Sequence, residues 1–354
     1  MPSTKSRTIA VLEPPTRIAL QAARHSAAAL ESLGHRVRSL LYKEDRLANR
    51  LPLPGIALLE GAWSRRRLLV WLERVEPELI LVFKGARIAP STIEWIRKSL
   101  DVPWACWFYG DPVWLPFSTT ISPYYDYFFT SDRISAQAHR KAGSPNVNVL
   151  PYGIHPPLHR PVTLTPDERA TLGCEIAFSG TLHSVNRRDV LEALADFDLK
   201  VWGGTSDQYV DDSRRFVRGE LRLSDSLRRC LVGQWAWEEE VSKIYAAAAI
   251  VLNVQHPDHL NMRLFEAPAC GAFLLTDGRD YVGEFFEPGK EVALYDGPED
   301  VAEQVVYWLA RPEERAAIAE AGRLRAHRDH TYAHQMQSLL ETCFGPDAAR
   351  EPSP

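Results

Sequence analysis

The residues best suited to chemistry lie in one short segment, residues 261–277. Within it, Arg263 and Glu266 stand three positions apart in an otherwise apolar stretch, which Gly271 ends before the apolar run 272–276. This pattern predicts a short helix closed by a left-handed glycine and followed by a buried strand. Arg263 and Glu266 would share one helical face near the N-terminus, where free amides and partial positive charge suit a phosphate. A carboxylate one turn further in would accept two hydrogen bonds from a ribose diol.

An isolated Arg-x-x-Glu pair is more often an exposed salt bridge on a helix surface. The sequence that follows favours a functional role, because it carries several further short motifs in order: Phe285–Glu291, Pro298-Glu299-Asp300, Pro312–Arg315, Ala321-Gly322-Arg323 and His330-Thr331-Tyr332. Together these segments resemble the donor-site region of nucleotide-sugar glycosyltransferases with the GT-B fold, specifically the branch related to the spore-maturation protein CgeB. The resemblance is good over residues 174–340 and loose over the first half of the chain.

The resemblance implies an α/β protein with the GT-B fold. Two Rossmann-like domains with parallel sheets would face an interdomain cleft, and a C-terminal helix would cross back to the first domain. The implied reaction transfers a sugar from a UDP-, GDP- or dTDP-sugar to an acceptor hydroxyl, with retention of configuration. No cofactor or metal ion is expected, since helix N-termini and basic side chains can neutralise the departing diphosphate. The alternatives are an epimerase or hydrolase of the same fold and a catalytically silent nucleotide- or glycan-binding module.

Two helix starts are predicted to hold the diphosphate, because the enzymes that this chain resembles bind it from these two places. The first follows Gly180 and Thr181 and opens with Arg187 and Arg188, and the second begins at Arg263. Arg187 and Arg263 are the expected catalytic ligands of the diphosphate. Arg188 is the alternative to Arg187, since adjacent helical residues point about 100° apart. Arginines that only cap a helix would explain both sites equally simply.

Glu266 is the predicted ligand of the ribose hydroxyls. Related GT-B enzymes carry a Glu-x7-Glu pattern here, and Asp258 occupies its upstream position in this chain. Because aspartate is shorter than glutamate, a direct role for Asp258 toward the sugar is open, and Asn261 or the main chain of residues 259–261 is the alternative. Met262 is included in the predicted donor-binding turn.

The nucleobase is expected near Trp202, Gly203 and Trp235, at the ends of two strands of the second domain. The indole rings offer stacking faces and the glycine offers backbone groups. Tryptophans that only fill the core are an equally good explanation, because a tryptophan buries much apolar area. His183, beside the Gly180-Thr181 loop, is a further donor-site candidate, although a single histidine without a visible partner is usually structural.

The first half of the chain is predicted to bind the acceptor. Asp111 follows a strand, so it is expected to contact the acceptor hydroxyl or to act as general base if the enzyme inverts. A Gly-Asp-Pro turn explains Asp111 equally well. Residues 1–150 hold 20 Lys+Arg and 13 Asp+Glu, whereas residues 151–354 hold 21 and 33. This basic half suits an anionic acceptor or peripheral contact with a membrane, although basic patches are more often solvated helix faces.

Strands alternate with helices along both halves, which indicates parallel, doubly wound sheets. The proline-rich segment 151–161 interrupts the alternation and is the predicted linker. We therefore expect an acceptor-binding domain at 1–153 and a donor-binding domain at 154–330. Residues 331–354 are expected to form the returning helix and a frayed tail.

The composition, with 45% hydrophobic and 25% charged residues, is typical of a soluble globular protein. No apolar run approaches the ~18–20 residues that cross a bilayer, and no signal peptide is evident, so a cytoplasmic location is expected. The five cysteines form no Cys-x-x-Cys pair and indicate neither a disulfide framework nor a zinc site. The sequence lacks the Rossmann Gly-x-Gly-x-x-Gly, the P-loop, Gly-x-Ser-x-Gly and His-Glu-x-x-His patterns. No motif typical of nucleic-acid binding appears, so no nucleic-acid partner is expected.

Overall fold

The computed structural model describes residues 5–42, 56–182, 185–204, 223–255, 260–278 and 280–346. In it the chain divides into two α/β units. The first contains the described residues up to Gly153, together with Leu260 and the residues from Tyr332 onward. The second begins at Ile154 and ends at Thr331.

The first unit is built on a parallel sheet of six strands in the order β2-β1-β3-β4-β5-β6. The strands are β1 (Thr8–Glu13), β2 (Arg36–Leu41), β3 (Leu79–Phe83), β4 (Trp104–Phe108), β5 (Tyr127–Thr130) and β6 (Val147–Val149). Every residue of β1, β3 and β4 is buried. Helices on both faces of a parallel sheet bury both sides of its central strands, which explains why these strands are continuous apolar runs in the sequence.

The helices of the first unit come from both ends of the chain. They are α1 (Arg17–Ser32), α2 (Ile56–Val75), α3 (Pro90–Arg97), α4 (Asp111–Ile121), α5 (Arg133–Lys141) and the last helix, α13 (Tyr332–Phe344). Helix α13 packs against α1, where the Tyr332 and His25 rings lie 5.4 Å apart. The Tyr127 hydroxyl also donates a 3.1 Å hydrogen bond to the carbonyl of Cys343. The C-terminal helix is therefore part of the first unit.

The second unit has a parallel sheet of five strands in the order β11-β10-β9-β7-β8. The strands are β7 (Cys174–Thr181), β8 (Leu199–Gly204), β9 (Ala248–Asn253), β10 (Leu274–Asp277) and β11 (Ala293–Tyr295). The helices are α6 (Pro166–Leu172), α7 (Val185–Glu192), α8 (Asp225–Cys230), α9 (Glu239–Ala247), α10 (Arg263–Ala269), α11 (Val301–Leu309) and α12 (Pro312–Asp329). The two sheets confirm the predicted fold class of two Rossmann-like α/β domains with parallel strands.

Each sheet has a point at which the strand order reverses. In the first sheet this point lies between β1 and β3, and in the second it lies between β7 and β9. Open α/β sheets bind ligands beyond the carboxyl ends of the strands at such a point. Ligand-binding residues are therefore expected after Thr181 and Asn253 in the second sheet. In the first sheet they are expected after Glu13 and Phe83.

The sequence prediction was incomplete between β4 and β6. Gly110 has φ +66° and precedes α4, so the Gly-Asp-Pro sequence is the junction of a strand and a helix and not a free turn. Pro112 lies in the first turn of that helix, where a proline costs nothing because its missing N–H has no helical partner. The helix at Arg133–Lys141 was also missed. It begins at Asp132, whose side chain accepts a hydrogen bond from the Ser135 amide.

Candidate functional site

The guanidinium of Arg263 is buried at the carboxyl ends of β7 and β9. Its Nη1 donates a 2.9 Å hydrogen bond to Asn253 Oδ1, and its Cζ lies 4.6 Å from the centre of the Phe178 ring. Arg263 is only 8% exposed, and its Nε has no hydrogen-bond partner in the described part of the chain. A buried cationic group with an unused donor is suited to binding an anion.

Gly180 makes room for Arg263, and Gly203 makes room for the backbone of Gly180. A Cβ on Gly180 would lie 2.7 Å from Arg263 Nη2, and a Cβ on Gly203 would lie 2.5 Å from the Gly180 carbonyl oxygen. Gly203 also has φ +97°, a conformation that favours glycine. The predicted donor-site glycines thus have a steric function beside the arginine.

Arg187 approaches the same place from α7. Its Nε donates to the carbonyl of Val254 at 3.1 Å, and its Nη1 donates to the carbonyl and hydroxyl oxygens of Thr181 at 3.1 and 2.9 Å. Its Cζ lies 5.9 Å from the centre of the Phe178 ring. Burial, and then the nearby positive charge of Arg263, lower the pKa of Arg187 to about 9. The structure therefore brings the two predicted diphosphate ligands together around one aromatic ring.

Asn253, the last residue of β9, organises this region and was missed in the sequence. Its side-chain oxygen accepts hydrogen bonds from Arg263 and from the Asn261 side chain, the latter at 2.8 Å. Its amide nitrogen donates to Thr276 Oγ1 at 3.1 Å, and its carbonyl accepts from the Tyr295 hydroxyl at 3.0 Å. The signal available in the sequence was an asparagine at the end of an apolar run, and the structure shows that it is fully buried.

Asn261 and Met262 form the turn before α10. Asn261 uses its side-chain oxygen to accept from the amide of Leu264 at 3.2 Å, in addition to its contact with Asn253. The carbonyl of Met262 accepts from the amide of Glu266 at 3.0 Å. The side chain of Asn261 therefore fixes the start of the helix that carries Arg263 and Glu266.

Glu266 has an unusual electrostatic environment. Burial raises the pKa of its carboxyl group to about 7, while the charge of Arg263 opposes the shift. The side chain is 15% exposed, and its Oε1 lies 3.7 Å from His159 Nε2. Burial raises the pKa of the Tyr245 hydroxyl on α9. The charges of Arg263 and Glu266 also act on this hydroxyl, in opposite directions. The alternative explanation, an exposed salt bridge between Arg263 and Glu266 on a helix surface, does not apply, because Arg263 is buried.

The aromatic candidates for the nucleobase differ in exposure. Trp202 is only 2% exposed, which favours the alternative that its ring fills the core. Trp235 is half-buried, lies 3.2 Å from the Cβ position of Gly203, and stacks on Trp237 with ring centres 5.9 Å apart. Trp235 is thus the better placed of the two predicted stacking residues.

Several predicted residues lie outside what the structure describes. His183 and Asp258 are not among the described residues, and the same holds for the side chain of Asp111, whose backbone begins α4. Arg188 is half-buried, and its Nε is buried without a hydrogen-bond partner in the described ranges. Arg188 therefore stays the alternative to Arg187 as a ligand of the diphosphate.

A separate cluster of polar side chains lies at the switch point of the first sheet, and the sequence did not reveal it. Lys84 follows β3 with φ +48°, a strained conformation for a residue with a side chain. Its Nζ lies 5.5 and 5.3 Å from the ring centres of Phe108 and Tyr109. Nζ and the Tyr152 hydroxyl are each 3.7 Å from the Cβ position of Gly110. The buried Tyr109 hydroxyl finds no partner among the described residues.

Comparisons with known proteins place these features in context. Residues 187–341 match the family model described as Glycosyl transferase-like. No curated protein sequence matches the chain. Sucrose-phosphate synthase from Thermosynechococcus elongatus has the same fold, with a TM-score of 0.67 and 17% identity over 96% of this chain and 99% of that one.

Two further solved structures share the fold. Anabaena HepE in complex with UDP-glucose has a TM-score of 0.65 and 14% identity, over 95% of this chain and 99% of that one. A putative UDP-N-acetylglucosamine 2-epimerase from Listeria monocytogenes has a TM-score of 0.55 and 12% identity, over 99% and 100% of the two chains. The predicted resemblance to GT-B glycosyltransferases is confirmed, whereas the branch related to CgeB stays a prediction.

Two negative findings apply to the residues that the structure describes. None of the helices in these ranges is long and apolar enough to cross a membrane. In the same part of the chain, no group of three or more His, Cys, Asp or Glu side chains is arranged to hold a metal ion.

Proposed function

We propose that this protein transfers a glycosyl group from a nucleoside-diphosphate sugar to an acceptor hydroxyl, and that Arg263 and Arg187 receive the diphosphate. The observation that carries the proposal is the approach of these two buried guanidinium groups to one aromatic ring, Phe178, at the carboxyl ends of β7 and β9. Two like charges in a buried site raise each other's energy, and an anion between them would relieve it. A diphosphate supplies two anionic groups of suitable geometry.

The same charges would act on the reaction. As the bond between the sugar and the diphosphate breaks, negative charge grows on the leaving oxygen, and fixed guanidinium donors stabilise it without reorganisation. Arg187 is held by Val254 and Thr181, and Arg263 is held by Asn253, so both are already in position. These positive charges support our proposal that the reaction needs neither a metal ion nor a cofactor. Retention of configuration is proposed from the family resemblance.

Glu266 is proposed to bind the ribose. It lies one turn after Arg263 on α10, so a nucleotide whose diphosphate contacts Arg263 would bring its ribose near Glu266. An ionised carboxylate can accept hydrogen bonds from both hydroxyls of a diol. Because HepE was solved with UDP-glucose, a UDP-sugar is the first donor to test, and Trp235 is the proposed stacking face for the base.

The acceptor is proposed to bind at the carboxyl end of the first sheet. Lys84, the Tyr109 hydroxyl and the start of α4 at Asp111 lie there, next to the switch point between β1 and β3. Aromatic faces and hydrogen-bonding groups of this kind suit a hydroxylated acceptor, and the lysine suits one that also carries negative charge. This proposal extends the predicted role of Asp111 to residues that the sequence did not single out.

The decisive experiment compares nucleotide binding and donor turnover in matched variants. We expect UDP, GDP, dTDP or CMP to raise the melting temperature of the wild-type protein, because a ligand of the folded state stabilises it. Arg187→Ala combined with Arg263→Ala should abolish that shift and lower turnover with every acceptor. Arg328→Ala, which removes an exposed arginine paired with Asp329, is the control. Unchanged nucleotide binding in the double variant would show that the diphosphate lies elsewhere.

Product analysis separates the alternatives. The fold shared with a putative 2-epimerase makes epimerisation or hydrolysis of the donor the second candidate. Incubation of the donor with and without acceptors, followed by mass spectrometry, distinguishes a glycosylated acceptor from a free sugar or an epimer. A module without catalytic activity would bind the nucleotide and leave the donor intact.

A further inference from the structure

His159 lies against the Glu266 carboxylate and is held there by its own loop. Its Nδ1 accepts a 2.9 Å hydrogen bond from the backbone amide of His155. In a neutral imidazole only one nitrogen carries the proton, so an accepting Nδ1 places the proton on Nε2. Nε2 is the atom that lies 3.7 Å from Glu266 Oε1. The loop thus directs an N–H group toward the carboxylate.

The loop that carries His159 is well anchored. The amides of Leu158 and His159 both donate to the carbonyl of His155, at 2.9 and 2.8 Å. The Ser242 hydroxyl of α9 donates to the carbonyl of Leu158 at 2.9 Å. The His159 side chain is only 5% exposed. Its ring is therefore fixed by the backbone of its loop, and the loop is anchored to the neighbouring helix.

The groups that face Glu266 come from three elements. Arg263 and Cys270 flank it on and just after its own helix, α10, Tyr245 faces it from α9, and His159 faces it from the loop. Of these only Arg263 is cationic by nature, and its guanidinium is already bonded to Asn253. Burial raises the pKa of Glu266 to about 7. Near neutral pH the carboxyl group is therefore poised between its two forms.

Only the ionised form is an acceptor for two hydroxyls. A protonated carboxyl carries an O–H donor on one oxygen, so only its other oxygen is fully available to accept from the two hydroxyls of the diol. A donor N–H beside Oε1 favours the ionised form and leaves Oε2 and the second lone pair of Oε1 for the ligand. The separation of 3.7 Å is longer than a hydrogen bond, so in the unliganded protein the interaction is that of a dipole with a charge.

We propose that His159 is a positioning residue for nucleotide binding: its Nε2–H orients the Glu266 carboxylate and holds it ionised to receive the ribose diol. This rests on the proposed function, which assigns the ribose to Glu266. His159 was not among the residues selected from the sequence, where the segment 151–161 was predicted to be a linker. The inference gives this proline-rich loop a role in the donor site.

Two amide substitutions separate the roles of the two ring nitrogens. His159→Asn places an amide oxygen near the position of Nδ1, so it keeps the acceptor for the His155 amide and loses the donor to Glu266. His159→Gln reaches further and places an amide N–H near the position of Nε2, so it keeps the donor. Melting temperatures of the two variants show whether each is folded before any binding is measured.

The readout is the pH dependence of UDP affinity, measured by calorimetry between pH 5.5 and 9. For His159→Asn we expect UDP affinity to fall about tenfold at pH 7, because the N–H dipole that favours the ionised carboxylate is lost. The loss should shrink toward pH 9, because higher pH ionises Glu266 without help. His159→Gln should stay closer to the wild-type profile. If UDP affinity changes with pH around the same midpoint in the wild-type and His159→Asn proteins, the inference is overturned.

A measurement on the unliganded protein keeps this inference distinct from the proposed function. Carbon-13 labelling of glutamate carboxyl groups, with Glu266→Gln for assignment, gives the titration of Glu266 directly, and we expect a higher pKa in His159→Asn. Nitrogen-15 spectra of the wild-type ring should show the proton on Nε2, and a proton on Nδ1 would overturn the inference. If no nucleotide binds, the proposed function is refuted, and so is the role of His159 in positioning Glu266 for a nucleotide. Nucleotide binding with an unchanged carboxyl titration would refute the role of His159 alone.

Discussion

Gly180 lies directly against the guanidinium of Arg263, with 2.7 Å between the position of a Cβ on the glycine and Nη2 of the arginine. Real Cβ contacts are not this short, so any larger residue at position 180 must displace the arginine. The displaced atom is the end of a flexible side chain, the buried Phe178 ring at 3.2 Å must yield by a few tenths of an ångström, and the backbone of β7 can stay where it is. The glycine therefore controls the position of a charge more than the stability of a strand.

The first prediction follows from this contact. Gly180→Ala should weaken nucleotide binding about tenfold, since moving one guanidinium removes a charge-assisted hydrogen bond, and should change the melting temperature little. Calorimetry with UDP and thermal unfolding measure the two effects. Gly283→Ala is the matched control, because a Cβ there meets nothing within 4 Å. An alanine at 180 that binds UDP normally would argue against the assignment of Arg263.

The second prediction concerns Asn253. Asn253→Ala leaves the buried donor of Arg263 and the half-buried donor of Asn261 without their acceptor, so the free energy of unfolding should fall by roughly 2–4 kcal/mol. Asn253→Asp keeps an oxygen for both donors and should be the more stable variant. Its added negative charge beside Arg263 should still weaken diphosphate binding. Chemical denaturation and UDP titration of the two variants test whether stability and binding separate in this way.

The third prediction is the pH dependence of stability due to Glu266. Its pKa rises from 4.5 to about 7 on folding, so between these values the folded state binds more protons than the unfolded state. Stability from this group is therefore present below pH 4.5, falls as pH rises toward 7, and is lost above it. Glu266→Gln should be more stable than the wild-type protein at pH 8.5, by at most roughly 3 kcal/mol, and should lose this advantage near pH 4.5. Denaturation at both pH values in the absence of nucleotide measures the difference.

The same variant should bind nucleotide more weakly, because a carboxamide has a single acceptor oxygen for the two ribose hydroxyls. If Glu266→Gln makes the protein more stable but weakens nucleotide binding, the buried carboxylate is kept for binding at a cost in stability. An equal effect on stability at both pH values would indicate that the carboxyl group titrates normally.

The fourth prediction concerns Lys84 in the first unit. Lys84→Gly removes the amine and also relieves the strained backbone at φ +48°, whereas Lys84→Ala removes the amine only. The glycine variant should be the more stable by about 1 kcal/mol. Both variants should raise the KM for the acceptor and leave UDP affinity unchanged. A change in UDP affinity, or no change in acceptor KM, would remove Lys84 from the proposed acceptor site.

The central strands of the first sheet were predictable because of how they are buried. All residues of β1, β3 and β4 are covered on both faces, so the sequence shows uninterrupted apolar runs bounded by polar residues. Helix α4 was not predictable in the same way. Its sequence begins with a Gly-Asp-Pro triplet and contains Pro116, and both features are more typical of turns.

The candidate site was predictable only where a local pattern carried it. Arg263 and Glu266 belong to one short segment, and their spacing was visible in the sequence. Asn253 was missed because its partners lie 8, 10 and 23 positions away and meet only in the folded sheet. His159 was missed for a related reason, since proline-rich neighbours indicate a loop and give no information on what the loop faces. Lys84 was missed because a lysine is rarely found in the left-handed region.

The packing of α13 on α1 has a consequence for biosynthesis. The first unit is discontinuous in sequence, since it is completed by the helix Tyr332–Phe344. During translation the second unit can finish before the first, whose exposed α1 surface must wait for the last helix to leave the ribosome. A fragment ending at Gly153 should therefore be prone to aggregation, whereas a circular permutant that joins Tyr332–Phe344 ahead of β1 would supply the missing helix first.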